Sequence, residues 1–260
     1  MSQRPRSRTR PADRQRHSDP ARRTAYLTVR AVAQGAYANL ELSDQQRRAR
    51  LSGRDAAFST ELCHGTLRMQ GLYDPIVAAC AHRDVDAIDG AVLDILRLGA
   101  HQILGMRVPD HAAVSATVAL ARQEISQGSG GFVNAVLRRV SERDRASWVE
   151  VVTEDLHDPL EALAREHSHP LWVARALRAA LVSQGQWTPQ TVLPELAALL
   201  QANNTPGALT LAARPGLDAE SELAAAGATP SEASATAWSW SHGNPADLAP
   251  VRDGRAAVQD

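Results

Sequence analysis

Between Asp19 and Val140 apolar residues return every three or four positions, and helix-start and turn residues cut that rhythm into five runs. Few folds satisfy such a pattern. Each run presents one apolar stripe, and five stripes within about 125 residues must bury one another, which specifies a helical bundle. The first run opens at Asp19-Pro20, a capping carboxylate followed by proline at the first helical position. It carries Ala25, Val29, Val32, Ala33, Ala36, Tyr37 and Leu40 on helical spacing. The second, over 54–81, carries Phe58, Leu62, Met69, Leu72, Tyr73, Ile76 and Val77, with Pro75 as the expected break or kink. Asp86 is expected to cap a third run bearing Ile88, Val92, Ile95, Gly99 and Ile103. Pro109-Asp110 precedes a fourth, with Val114, Val118, Ala121 and Ile125. Gly128-Ser129-Gly130-Gly131 opens the fifth, where Phe132, Val136 and Val140 share a face and Asn134, Arg138 and Arg139 lie off it.

The pattern then changes. Trp148 to Leu163 reads as a helical connector, His169-Pro170 starts another helix with Leu171, Val173, Leu177 and Leu181 apolar, and Thr188-Pro189 starts one more. Leu209-Thr210-Leu211 is the first convincing strand, and Trp238 and Trp240 alternate around Ser239 as a second would. The expected organisation is a leader over 1–18, a helical domain over 19–145, a connector over 146–204 and a small, incomplete α/β segment over 205–260. Overall the fold class is mostly all-α.

The 260 residues carry a net charge of −1, but every one of the 28 basic residues is Arg. Eight of them fall within the first 23 residues, including Arg16, Arg22 and Arg23, against only Asp13 and Asp19. That end is therefore strongly positive on an acidic body, a distribution suited to nucleic acid because the guanidinium fork pairs bidentately with phosphate. A solvated, disordered tail explains the same residues, and both readings stand. The leader has no apolar core of a secretory signal, although an organellar presequence is excluded only in so far as Pro5, Pro11 and Pro20 break an amphipathic helix. No run of apolar residues is long enough to span a membrane. Cys63 and Cys80 have neither metal nor disulfide spacing, so the chain reads as cytoplasmic.

Catalytic chemistry is hard to find. Cys63 and His64 are neighbours on a helix and do not face each other. His167 and His169 lack the further ligands a metal site needs. Asp84, Asp86 and Asp89 read as a capping turn, and no phosphate loop, dinucleotide fingerprint or nucleophile elbow is present. Gly65, mid-helix, implies close approach of another helix, and Arg68 one turn on is a candidate RNA contact. The glycine-rich opening of the Phe132 helix admits two explanations, an anion site on exposed N–H groups or an ordinary loop feeding a core helix.

Ala21-Arg22-Arg23, Phe58-Ser59-Thr60-Glu61-Leu62, Ile95-Leu96-Arg97-Leu98-Gly99-Ala100 and Phe132-Val133-Asn134-Ala135-Val136-Leu137 together resemble the NusB-like domain, a helical RNA-binding fold. Gly65-Thr66-Leu67-Arg68, His111-Ala112-Ala113-Val114, Asn134 to Arg139, Ser168-His169-Pro170-Leu171-Trp172, Ala202-Asn203-Asn204-Thr205-Pro206 and Val258-Gln259-Asp260 resemble, more closely, the corresponding region of Sun/Fmu ribosomal RNA cytosine-C5 methyltransferases. The resemblance implies an RNA-binding portion that positions ribosomal RNA for S-adenosylmethionine-dependent methylation by a downstream domain. In stand-alone NusB factors the Arg-rich start of the first helix contacts RNA, a role that the resemblance carries only onto Arg22 and Arg23, with Arg16 a looser candidate; Arg68, Asn134 and Arg138 complete the candidate RNA-binding residues. After Val114 this chain has Ser115 and Ala116 where the family has Asn and Glu. Neither cysteine follows a proline, and no catalytic or cofactor-binding residue is expected within 1–260. The alternative is a non-enzymatic NusB-like antitermination factor, with RNA and a ribosomal or transcription-factor protein as partners. A stand-alone factor would end near Arg143, so residues 150–260 discriminate between the two.

Overall fold

A computed structural model describes residues 19–259 except 206, 208, 233, 242 and 244; the leader with Arg16, and Asp260, lie outside the described residues. Helix α1 (Pro20–Val32) begins where its signals put it, with the Asp19 carboxylate accepting from the Ala21 N–H at 2.9 Å. It does not continue to Leu40. Gly35, at φ +99°, closes a Schellman turn in which the Ala36 N–H returns to the Ala31 carbonyl at 3.0 Å. The chain re-enters helix as α2 (Ala38–Arg48), which leaves Tyr37 and Leu40 facing solvent. The expected second run is likewise two helices, α3 (Gly53–Arg68) and α4 (Gln70–Ala81), divided at Met69, while Pro75 is carried inside α4. Seven helices, rather than five, therefore span Asp19 to Val140 among the described residues.

Helix α5 (Gly90–Leu104) is capped by Asp89, not Asp86: its carboxylate accepts from the N–H groups of Ala91 and Val92 at 3.0 and 3.1 Å. Asp86 instead lies in a single 3-10 turn, Val85–Ala87. Then come α6 (Asp110–Glu124) and α7 (Ser129–Val140). Asp144 and Asp158 cap α8 (Arg145–Thr153) and α9 (Pro159–Glu166).

The most buried helix, α5, packs against α1, α3, α4, α6 and α7. Leu62, Leu72, Ile76, Ile95, Leu96, Leu98, Leu120 and Leu137 are fully buried around it. Two glycines set the spacing. A Cβ on Gly99 would lie 2.5 Å from Leu137 Cδ1, and one on Gly65 would lie 2.1 Å from Nε2 of His101. The close approach expected at Gly65 is thus real, and its neighbour is an imidazole from α5. Buried and half-buried charges are paired across helices: Arg97 grips Asp74 at 2.6 and 2.7 Å, and Asp94 receives both Arg97 at 2.9 Å and Arg30 at 2.7 Å. Trp148 and Val152 of α8 belong to this same core, and the Trp148 indole donates to the Val140 carbonyl at 2.8 Å. The helical unit accordingly runs to Ser168.

The second unit, His169 onward, opens with α10 (Leu171–Ser183) directly after Pro170. Thr188-Pro189 does not start a helix. It forms a turn closed by Thr188 and Thr191, and α11 (Leu193–Asn204) follows, with Pro194 in its first turn. Strands β1 (Leu209–Ala213), β2 (Thr229–Pro230), β3 (Ala237–Trp240) and β4 (Ala256–Gln259) form an antiparallel sheet ordered β2-β3-β1-β4. Two short helices, α12 (Glu220–Ala225) and α13 (Ala249–Arg252), complete it. The expected alternation is present: Trp238 and Trp240 turn inward with Leu211, Leu223 and Ala256, while Ser239 stays half-buried.

Candidate nucleic-acid interface

The two arginines at the start of α1 have different duties. Arg22 is a strut. Its guanidinium lies 4.7 Å from the Phe58 ring centroid, its Nε donates to Gln102 Oε1 at 2.7 Å, and Nη1 pairs with Asp19. Gln102 is itself held, donating to Thr117 Oγ1 and the Leu98 carbonyl, both at 3.1 Å. Arg22 thereby ties α1 to α3 and α5, and its side chain is only 14% exposed. Arg23 points the other way. It donates to Glu124 Oε1 at 2.8 Å yet remains 46% exposed.

Arg23 lines a groove of about 390 Å³ between α1 and α2, together with Pro20, Thr24, Leu27, Gln45, Arg48 and Ala49. Arg47 and Arg48, at the end of α2, pair with Asp44 at 3.1 and 2.5 Å and are 78% and 70% exposed. Exposed pairs of this kind are worth about 0–1 kcal/mol, so such guanidiniums exchange onto a phosphate at small cost. Sequence reasoning did not single out Arg48, because the helical stripe was carried straight through Gly35 to Leu40 and the stretch before the second run was given no element. The signal that could have found it is the local cluster Arg47-Arg48-Ala49-Arg50.

The other candidates stand apart. Arg68 occupies the last turn of α3, a position favoured for cations by the helix dipole. Burial and then Arg68 lower the proton affinity of His64. Asn134 and Arg138 sit one turn apart on α7, with Arg138 Nε donating to Asn134 Oδ1 at 3.3 Å. No hydrogen bond or ion pair among the described residues joins Arg68 or Arg138 to Arg22 or Arg23. Arg139 is structural, donating to the Cys80 carbonyl at 2.7 Å.

At the glycine-rich turn before α7, the N-cap Gly128 provides no side-chain bond. Gly130 is there to admit Arg122, since a Cβ would meet Arg122 Nε at 2.6 Å and Cγ at 2.8 Å. Arg122 precedes Glu124, the partner of Arg23, on the last turn of α6. Arg23, Arg122 and the opening of α7 are thus linked through one helix end.

Nucleophilic chemistry is disfavoured at the thiols: burial pushes Cys63 and Cys80 up to about 12. His101 is buried between Gly65 and Gly105, its Nδ1 paired with Tyr73 Oη at 2.8 Å and its Nε2 3.6 Å from Glu61. Contact with His101 holds the Glu61 carboxyl below its usual range against the opposing effect of burial. No cluster of three or more His, Cys, Asp or Glu suited to a metal occurs among the described residues. No helix of the described residues is long and apolar enough to cross a membrane.

Comparison with known proteins places these features. Residues 19–142 match the model of the NusB family. A Mycobacterium tuberculosis protein with a provisional methyltransferase name is 46% identical over 259 residues, 98% of this chain and 54% of its own length. Ribosomal RNA small subunit methyltransferase B of Thermus thermophilus is 37% identical over 134 residues, 52% of this chain and 33% of its own. The crystal structure of PH0851 shares the fold, with a TM-score of 0.65 over 92% of this chain and 52% of that one at 13% identity. The chain spans about half the length of the mycobacterial relative, and less of the other. Residues 19–142 are therefore a NusB-family domain, in a chain homologous to methyltransferase proteins that include the ribosomal RNA small subunit methyltransferases B.

Proposed function

We propose that this chain is the RNA-binding N-terminal portion of a ribosomal RNA (cytosine-C5) methyltransferase, acting in the cytoplasm to position ribosomal RNA for a downstream catalytic domain. One observation carries the reading: the likeness to methyltransferase proteins runs through both units, across 98% of the chain, and does not stop with the NusB-family domain. That extent is what separates it from the antitermination alternative. S-adenosylmethionine would supply the methyl group from outside residues 1–260. The work of this chain is then to hold RNA. Arg23 and Arg48, across the groove between α1 and α2, are the phosphate contacts we favour, with Arg22 as the positioning residue behind them. Arg16, Arg68, Asn134 and Arg138 remain further candidate contacts.

The test is a salt titration of binding to small-subunit ribosomal RNA fragments. Replacing both Arg23 and Arg48 with Ala should weaken binding and reduce the dependence of log K on log salt by about two, one per lost phosphate contact. Arg22→Ala should instead lower the melting temperature, because it uncovers Phe58 and leaves Gln102 Oε1 without its donor. An unchanged salt slope in the double variant would remove the groove from the interface. Failure of the intact chain to bind ribosomal RNA would overturn the reading itself.

A further inference from the structure

Three aromatic rings of the helical unit are each covered by a guanidinium: Phe58 by Arg22 at 4.7 Å, Phe132 by Arg83 at 5.2 Å and Trp148 by Arg143 at 5.7 Å. Trp172, on the first turn of α10, is different. It is 72% exposed, and no cation or second ring among the described residues lies over it. Burying an indole is among the largest gains open to a side chain, so one left in solvent is costly to solubility unless something covers it.

The surroundings of Trp172 indicate what that is. Arg175 follows one turn later on the same side of the helix, also exposed. The face continues with Ala176 and Ala179, small and exposed, so nothing bulky fences it. The opposite face is spoken for, since Ala174 is fully buried and α10 packs on α11. Charge is segregated as well. The second unit carries more acidic than basic residues, yet α10 holds Arg175 and Arg178 and no acidic residue at all. Arg178 is partly committed, donating to the Pro189 carbonyl at 2.8 Å, which leaves Arg175 as the available cation. A flat apolar ring beside an uncommitted guanidinium complements a nucleobase and its phosphate. It does not complement a base inside a duplex, where both faces are already stacked.

We propose that the Trp172–Arg175 face of α10 is a stacking platform for an unpaired RNA base, Trp172 taking the base and Arg175 its phosphate. The inference rests on the reading of this chain as RNA-binding and adds a second contact surface, on the unit outside the NusB-family domain. The experiment titrates chain 1–260 with a single-stranded oligoribonucleotide of about a dozen nucleotides, and with a duplex of the same length, following tryptophan emission and anisotropy. Trp172→Ala should weaken single-strand binding by roughly tenfold and abolish the quenching, with duplex binding unchanged, and Trp172→Phe should recover most of the affinity. Arg175→Ala should reduce the salt slope by about one. Circular dichroism confirms that each variant is folded, as expected for an exposed position.

Three results overturn the proposal. Unchanged single-strand affinity in Trp172→Ala, in a chain that still binds RNA through its first helix, removes this face alone. A Trp172→Ala effect confined to self-association assigns the face to a second copy of the chain. Absence of any RNA binding by the intact chain overturns both this proposal and the function it rests on.

Discussion

The two units of this chain achieve order by different means. In the helical unit a central helix, α5, is surrounded by five others, and its packing is specified to the atom: Gly65 and Gly99 leave room for His101 and Leu137, and Asp94 balances two guanidiniums. The second unit has a small core of Leu211, Leu223, Trp238, Trp240 and a few alanines under one sheet. Its strongest ion pair, Arg255 on Glu222 at 2.7 and 3.0 Å, lies exposed and contributes little. The lesson is where tolerance lies. A core built around many interlocking neighbours spreads the loss of one side chain, while a core resting on two indoles does not.

The contrast can be broken at its weakest point first. Trp238→Ala removes one of those two indoles and should cost the second unit about 3–5 kcal/mol, read as loss of its unfolding transition in urea while the helical unit's transition stays in place. If both transitions moved together, the division into two units would be wrong. Next in size is Gly65→Ala. A Cβ 2.1 Å from an imidazole nitrogen forces His101 off its bond to Tyr73, so overpacking of about 1–3 kcal/mol is expected in the helical unit, and an unshifted midpoint would mean that α3 yields easily. The smallest effect concerns acid. Because Glu61 is held below its ordinary value of 4.5, its contribution is complete above that pH and is lost as the solution is acidified through the lowered native value. Glu61→Gln should flatten the acid limb of helical-unit stability there and leave the second unit's untouched.

Much of this was legible in the order of residues. The Asp19-Pro20 start, the onset of α10 after Pro170, the strand at Leu209 and the inward alternation of the two tryptophans needed only local rules. What escaped was punctuation inside continuous apolar patterns. The stripe of Ala33, Ala36, Tyr37 and Leu40 keeps helical spacing across Gly35, so nothing in the spacing announces the Schellman turn that puts Tyr37 and Leu40 outside. Asp84, Asp86 and Asp89 are each acceptable caps, and only the packing of α5 selects Asp89. At the candidate interface, the different surroundings of Arg22 and Arg23 were not readable. Arg22 and Arg23 are neighbours of one type, but Phe58 and Gln102, which separate their duties, lie 36 and 80 residues further along.

The clamp on Arg22 has one more consequence. Helix ends ordinarily fray, and a ligand that docks on one must first still it, at a cost in freedom that subtracts from affinity. Here the first turn of α1 is bolted to two other helices before any phosphate arrives, so that immobilisation belongs to folding and not to capture. A guanidinium presented from such a fixed mount distinguishes strongly between a phosphate in register and one displaced along the strand. On the proposed reading of Arg23 as a phosphate contact, the bolt behind it sets how sharply RNA is aligned, more than how tightly it is held.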